Sequence, residues 1–159
     1  MDAIDLSILG ALERDARQSF ASLSEAVGLS KTPCWARVQE LEKSGAIRGY
    51  NADINPRAVG LGVFAFIAVK IDFNQRQAFE TAASNNAAIL ECYTTAGEGD
   101  YLLKIVCRDV DDLDDLLRFN ISLLPGLQRS TTMICLKTVK ARSSTTAAAE
   151  PYVIKTRKR

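Results

Sequence analysis

Apolar residues in "MDAIDLSILGALERDAR" fall at Ile4, Ile8, Leu9 and Leu12, the spacing of one helix face. A second short helix fits residues 22–27, where Ser22 and Glu25 make an S-x-x-E capping box. Gly28 then supplies the residue most tolerant of a left-handed turn. A third helix follows, with Cys34, Val38 and Leu41 at 0, +4 and +7 as its buried stripe. Pro33 sits early in it. Proline has no N–H, and the first turn of a helix has no intrahelical acceptor for those groups, so Pro33 marks a start. Ser30 or Thr32 can cap this helix, and "KSG" at 43–45 ends it, with Lys43 near the negative helix terminus. Two short helices across a glycine turn, after a first helix, make a helix-turn-helix candidate.

The pattern then changes period. "AIRGYNADINP" alternates enough for a two-stranded wing or a linker strand, and Asn55-Pro56 is a boundary signal. Residues 62–72 are β-rich, and 74–85 read as a helix with Phe79, Ala82 and Ala83 inward. A strand at 88–96, the tight turn "GEGD" and a strand at 101–108 follow. Residues 109–126 form a helix with Leu113, Leu116, Leu117 and Ile121 on one face and Pro125-Gly126 as its end; a last strand covers 127–141. The expected fold class is α+β. A (winged) helix-turn-helix domain at 1–50 and a linker strand or hinge at 51–61 precede a ferredoxin-like βαββαβ domain at 62–141. Residues 142–159 are read as a low-complexity linker, "SSTTAAAE", and a strand-like, basic tail.

Composition narrows the function. Among 159 residues, 47% are hydrophobic and 25% charged, ordinary for a soluble globular protein. No apolar run is long enough for a membrane span, and the acidic "MDAID" start does not look like a secretory leader. A cytoplasmic, nucleoid-associated protein with no membrane partner is expected. The chain has no histidine, which removes Ser-His and Cys-His nucleophile activation and most zinc constellations. Its four cysteines form no CxxC pair and read as reduced thiols. Neither an enzyme, a metal site nor a cofactor is expected. The net charge is only +1, and residues 140–159 hold six Lys/Arg against one acid. A bulk nucleic-acid signature is therefore absent, so DNA binding must rest on local pattern.

That local pattern exists. On a wheel of 100° per residue, Thr32, Ala36, Gln39 and Lys43 gather within about a third of a turn, opposite the buried stripe. In a major groove Ala36 would permit close approach, and Gln39 would read adenine through paired hydrogen bonds. Ser30, Lys31, Arg37, Lys43 and Arg48 would serve mainly phosphates. Trp35 is expected to pack at a domain or subunit seam. Between Lys31 and Arg48 four bases stand against two acids, a weak attraction for a single head, so linked copies on repeated half-sites are favoured. The tail cations Lys155, Arg157, Lys158 and Arg159 are either further phosphate contacts or a frayed, solubilising end.

The glycines of "TAGEGDYLL" would allow φ > 0 and expose N–H groups to a carboxylate, while Glu98 or Asp100 could meet an α-ammonium. From the residues alone a plain hairpin turn fits equally well. As a binding site, the candidate effector residues are Gly97, Glu98, Gly99, Asp100 and Tyr101, with hydroxyls from Thr131 and Thr132 on the last strand of the same or a neighbouring subunit.

"LSKTPCWARVQELEKSGAIRGYNADINP" and "AGEGDYLLKI" resemble the N-terminal signature and the effector-domain turn of the Lrp/AsnC family (leucine-responsive regulatory protein / asparagine regulator) of transcription regulators. "PYVIKTR" is similar to the end of some members. The resemblance implies a sequence-specific regulator of double-stranded DNA with an amino acid or related small molecule as effector. It also implies dimers paired through the sheet of the second domain, which assemble to tetramers or octamers and hold effector between dimers near Gly97–Tyr101. The alternative is an oligomeric amino-acid sensor whose output is a protein partner.

Overall fold

The computed structural model describes residues 1–141 and 143–153. They divide into two compact units: Met1–Asp53 with the chain from Lys140 onward, and Ile54–Val139.

The first unit packs α1 (Ala3–Arg14), α2 (Phe20–Ala26) and α3 (Lys31–Lys43) around Ile8, Ala11, Leu23, Cys34, Val38 and Leu41. The stripe on α3 is buried as its spacing requires. Ile4, expected on the inward face, is exposed at 36%, and Ala11 instead completes the buried face of α1. Gly28 makes the turn between α2 and α3 at φ 68°, a conformation that costs a side-chain-bearing residue about 1–2 kcal/mol. Pro33 is the third residue of α3, inside the first turn, and the ladder opens just after it with Cys34 N donating to Ser30 O at 3.1 Å. Ser30 is the N-cap, without a side-chain capping bond.

Three local expectations fail here. The capping box at Ser22 and Glu25 does not form, because α2 starts earlier. Its cap is Ser19, whose hydroxyl accepts from Ser22 N at 3.1 Å. Residues 46–55 contain no strand, so the unit has no wing and the linker is not a strand. Instead Ile47 N donates to Leu41 O at 3.0 Å and its side chain packs on the core, folding the chain back over the end of α3.

The third correction concerns "SSTTAAAE". It is not a linker but supplies α6 (Thr145–Ala149), followed by a 3-10 turn at Glu150–Tyr152, while residues 154–159 of the expected strand-like end lie outside the described residues. So short a helix is marginal alone, and it is held from α1. The Glu13 carboxylate accepts from the hydroxyls of Ser144 (2.8 Å) and Thr146 (2.7 Å) and from the N–H groups of Thr145 (2.7 Å) and Thr146 (3.2 Å). The Thr146 hydroxyl first, then the Thr145 N–H, hold this carboxyl at about 2, against an ordinary 4.5. A carboxylate lowered on folding stabilises the docked segment above pH 4.5, and that support is lost as pH falls towards 2. We expect the Glu13 side-chain carbon to titrate in this low range by NMR, and Glu13→Ala to speed amide exchange at Thr145 and Thr146 at neutral pH. An ordinary midpoint with unchanged exchange would remove the clamp. The basic end with Lys155, Arg157, Lys158 and Arg159 lies outside the described residues.

The second unit runs β1 (Val63–Ile71), α4 (Arg76–Ser84), β2 (Ile89–Thr94), β3 (Tyr101–Cys107), α5 (Val110–Phe119) and β4 (Leu127–Cys135). All strands pair antiparallel in the order β2-β3-β1-β4, the ferredoxin-like arrangement. One phase of the central strands (Ala65, Ile67, Val69 and Ile71; Tyr101, Leu103, Ile105 and Cys107) packs with Phe79, Ala83, Leu113 and Ile121 from the helical layer. The last strand is shorter than expected. It stops at Cys135 because its partner β1 begins at Val63, so pairing runs out after Phe64↔Cys135.

Candidate nucleic-acid head and effector turn

On α3, Lys31, Thr32, Trp35, Ala36, Gln39 and Lys43 are exposed, as are Ser30 before the helix and Arg48 beyond it. Trp35 is 52% exposed. The Glu42 carboxylate lies on the flank of this face. It accepts from Gln39 Nε2 at 2.9 Å and from the Tyr50 hydroxyl at 2.8 Å. Burial first, and then this bond to an anion, push the Tyr50 phenol up to about 12. An amide nitrogen has two hydrogens, so Gln39 retains one of them beside its carbonyl oxygen for the paired bonds that adenine requires.

Arg37, expected among the phosphate ligands, is ion-paired within the unit. It stands on the shoulder of the buried stripe, and its Nη1 meets Asp2 Oδ2 at 2.8 Å and Asp5 Oδ1 at 2.6 Å. Sequence reasoning missed both aspartates. The available signal was an aspartate ahead of the first apolar residue and another three positions on.

The turn between β2 and β3 is closed by Thr95 N donating to Asp100 O at 2.9 Å and Thr95 Oγ1 to Gly99 O at 2.6 Å. Gly97 and Glu98 are exposed and Gly99 half-buried, but neither glycine takes a positive φ, contrary to expectation. Asp100 is engaged within the fold: its N–H donates to Val69 O at 2.8 Å, and its Oδ2 accepts from Ile71 N at 2.9 Å. It thereby ties the turn to β1 where that strand's register with β4 shifts, at Lys70/Ile71. Tyr101 is a core residue, 3% exposed, with its ring against Phe79 (centroids 4.8 Å apart) and its hydroxyl donating to Glu80 at 2.6 Å. Thr131 and Thr132 do not converge. Neighbours on a strand point to opposite faces: Thr132 pairs with Ile67 on the helix side and Thr131 with Ala68 on the other.

That other face of the sheet is apolar around Phe64 and Phe66, and among the described residues none of this unit's helices packs on it. Phe64 lies between Val106 and Cys135, Phe66 between Lys104 and Met133, and Ala68 between Leu102 and Thr131. Lys104 is already paired with Glu91 of β2, at 2.9 Å. The signal was present in "VFAFIAVKI", whose two phases are both apolar, the mark of a strand covered on both sides.

Two family models match this chain in succession: the AsnC-type helix-turn-helix domain over residues 1–42, and the Lrp/AsnC ligand binding domain over residues 64–145. The chain belongs to the Lrp/AsnC family of transcriptional regulators. Lrp/AsnC relatives include the proline dehydrogenase transcriptional activator of Rhizobium radiobacter, 38% identical over 143 residues, 88% of this chain and 92% of that one. The leucine-responsive regulatory protein of Escherichia coli is 36% identical over 88% of this chain and 87% of its own. Among solved Lrp/AsnC structures, a Neisseria meningitidis regulator in complex with L-methionine has a TM-score of 0.86 at 32% identity, covering 91% of this chain and 95% of that one. Escherichia coli AsnC has a TM-score of 0.85 at 27% identity, covering 91% and 97%. Among the described residues no helix is long and apolar enough to cross a membrane.

Proposed function

We propose that this regulator binds operator DNA through α3, that copies pair across the bare sheet face, and that an amino acid held near the Gly97–Asp100 turn selects between assemblies. The observation that carries the DNA reading is the exposed face of α3, where Thr32, Ala36, Gln39 and Lys43 converge opposite a fully buried stripe. Gln39 and Ala36 address base edges, while Ser30, Lys31, Thr32, Lys43 and Arg48 address phosphates and register. With Arg37 held by two aspartates, a head has few cations left for phosphate. Affinity therefore comes from linking heads at fixed spacing, in a dimer or in a tetramer or octamer built from dimers.

The effector reading is supported by a relative solved with L-methionine and another named as leucine-responsive. In this chain the exposed part of the turn is Gly97–Glu98, so Glu98 is the residue offered to an α-ammonium, with Gly99 behind it. Asp100 and Tyr101 hold the turn in place. An effector changes DNA binding only in so far as it binds one assembly better than another.

Fluorescence anisotropy on DNA from the protein's own promoter, titrated with each amino acid in turn, tests both parts. We expect preference for the promoter over scrambled duplex and a shift of affinity with at least one amino acid, lost in Glu98→Ala. A chain that prefers no duplex at physiological salt is not a DNA-binding regulator. A chain that binds DNA but answers to no amino acid keeps the first half only.

A further inference from the structure

We propose that Arg37 is a positioning residue of the DNA-reading head, one that sets the angle of α3 against the start of α1 and never touches phosphate. The inference rests on the DNA-binding reading above.

Its basis is a closed arrangement of bonds. Asp2 caps α1, and each of the two aspartates spends one oxygen on the other's backbone: Asp5 N donates to Asp2 Oδ1 and Asp2 N to Asp5 Oδ2, both at 2.8 Å. The second oxygen of each then accepts from the same guanidinium nitrogen of Arg37, at 2.8 and 2.6 Å. All four carboxylate oxygens are thereby engaged, and the cap of one helix becomes the socket for a side chain 32 and 35 positions away. Asp5 retains only 17% of its side-chain exposure and Arg37 35%, so the group sits at the margin of the core.

Two consequences separate this role from phosphate binding. First, the three side chains together carry a charge of −1, so their neighbourhood repels a phosphate. Arg37 would have to abandon two carboxylates, and leave them bare beside a polyanion, in order to reach one. Second, α3 otherwise meets α1 through apolar packing of Cys34, Val38 and Leu41, and such packing is non-directional. A bidentate base contact tolerates little displacement, so a directional bond at the helix shoulder is what holds Gln39 in register.

The test uses the full-length chain, its promoter duplex and a scrambled duplex. It compares wild type with Arg37→Met and with the double variant Asp2→Asn/Asp5→Asn, whose amide oxygens can still cap α1. Trp35 fluorescence melting sets a temperature at which all three are folded, so lost stability does not enter the readout. Positioning predicts that both variants lose about tenfold in the promoter-to-scrambled affinity ratio, the scale of one base contact. It also predicts that Arg37→Met leaves the slope of log K against log salt unchanged. Arg37→Lys, which keeps a cation for the same two carboxylates, should recover most of the ratio.

A slope reduced by about one unit in Arg37→Met with the ratio intact would make Arg37 a phosphate ligand and overturn the proposal. So would an unchanged ratio in the double aspartate variant. If wild type itself shows no promoter preference, it is the DNA-binding reading that fails.

Discussion

Phe66→Asp is expected to give a folded chain that no longer pairs, and to weaken promoter binding by roughly 10²–10⁴-fold, the usual gain from linking two heads. Phe66 lies at the centre of β1 on the face turned away from the helices, flanked in register by Lys104 and Met133. In the single chain it is only half-buried, so the substitution removes little of the unit's own core. In a two-fold pairing the same residue enters the interface twice. Burying a phenylalanine contributes about 1.5–3 kcal/mol, and each copy is replaced by a carboxylate that would have to be dehydrated. Lys104 offers no rescue, because Glu91 already holds it. Light scattering behind a sizing column should show the monomer mass and anisotropy the lost affinity, while Phe66→Leu keeps both near wild type. An unchanged mass for Phe66→Asp would place the dimer contact elsewhere.

The elements that could be read from the sequence are those whose residues are stabilised by near neighbours or by a regular period. The βαββαβ order follows from short β-rich apolar runs bounded by turn residues and from the apolar face of α5. Pro33 and Gly28 bracket the turn because their covalent geometry allows little else. What escaped depends on partners distant in sequence. The composition of "SSTTAAAE" suits a linker, and only Glu13, more than 130 positions away, makes a helix of it. Arg37 looks like any cation on a DNA-reading helix until Asp2 and Asp5 are placed beside it. The effector turn was legible as a turn but not in its division of labour. Asp100 and Tyr101 look equally available in "GEGDYLL", yet one ties the turn to β1 and the other fills the core. Here the period of two was a usable warning: Tyr101 shares its phase with Leu103 and Ile105, both buried. The same rule separates Thr131 from Thr132.

On the proposed function, the two-sided character of the sheet would let one unit serve as both pairing surface and sensor. The helix-facing phase of β1 and β3 makes the unit fold, the opposite phase is the one proposed to meet a second copy, and the turn lies at the end of both strands. Asp100 fastens that turn to β1 twice, its N–H donating to Val69 O and its side-chain carboxylate accepting from Ile71 N. A ligand that shifts the turn therefore acts on the strand whose outer face carries Phe64 and Phe66. Under the proposed function this would be a physical route from effector to assembly that needs no hinge.

The second large effect is expected at the other end of the same connection. Phe79→Ala should destabilise the ferredoxin-like unit by about 3–5 kcal/mol, the range for truncating a buried aromatic ring. Phe79 is wholly buried on α4, and its ring lies 4.8 Å from that of Tyr101 at a tilt of 44°. Such a pair contributes about 0.5–1.5 kcal/mol beyond its burial. Against a typical domain stability of roughly 5–15 kcal/mol the loss is a large fraction. Tyr101 is the first residue of β3 and follows Asp100 directly, so the cavity opens beneath the anchor of the candidate effector turn. Glu80 still accepts the Tyr101 hydroxyl, leaving the ring held at its tip and loose along its face. Urea unfolding followed by far-UV circular dichroism should show the shifted transition. Amide exchange at Thr95 and Asp100, whose bonds close the turn, should accelerate more than exchange in α1. The chain's single tryptophan, Trp35, lies in the other unit, so its fluorescence reports separately on the helix-turn-helix unit. Phe79→Leu, which refills most of the volume, should recover the larger part of the loss. A shift below about 1 kcal/mol for Phe79→Ala would mean that the helical layer collapses onto the sheet, and that Tyr101 holds the turn without support from α4.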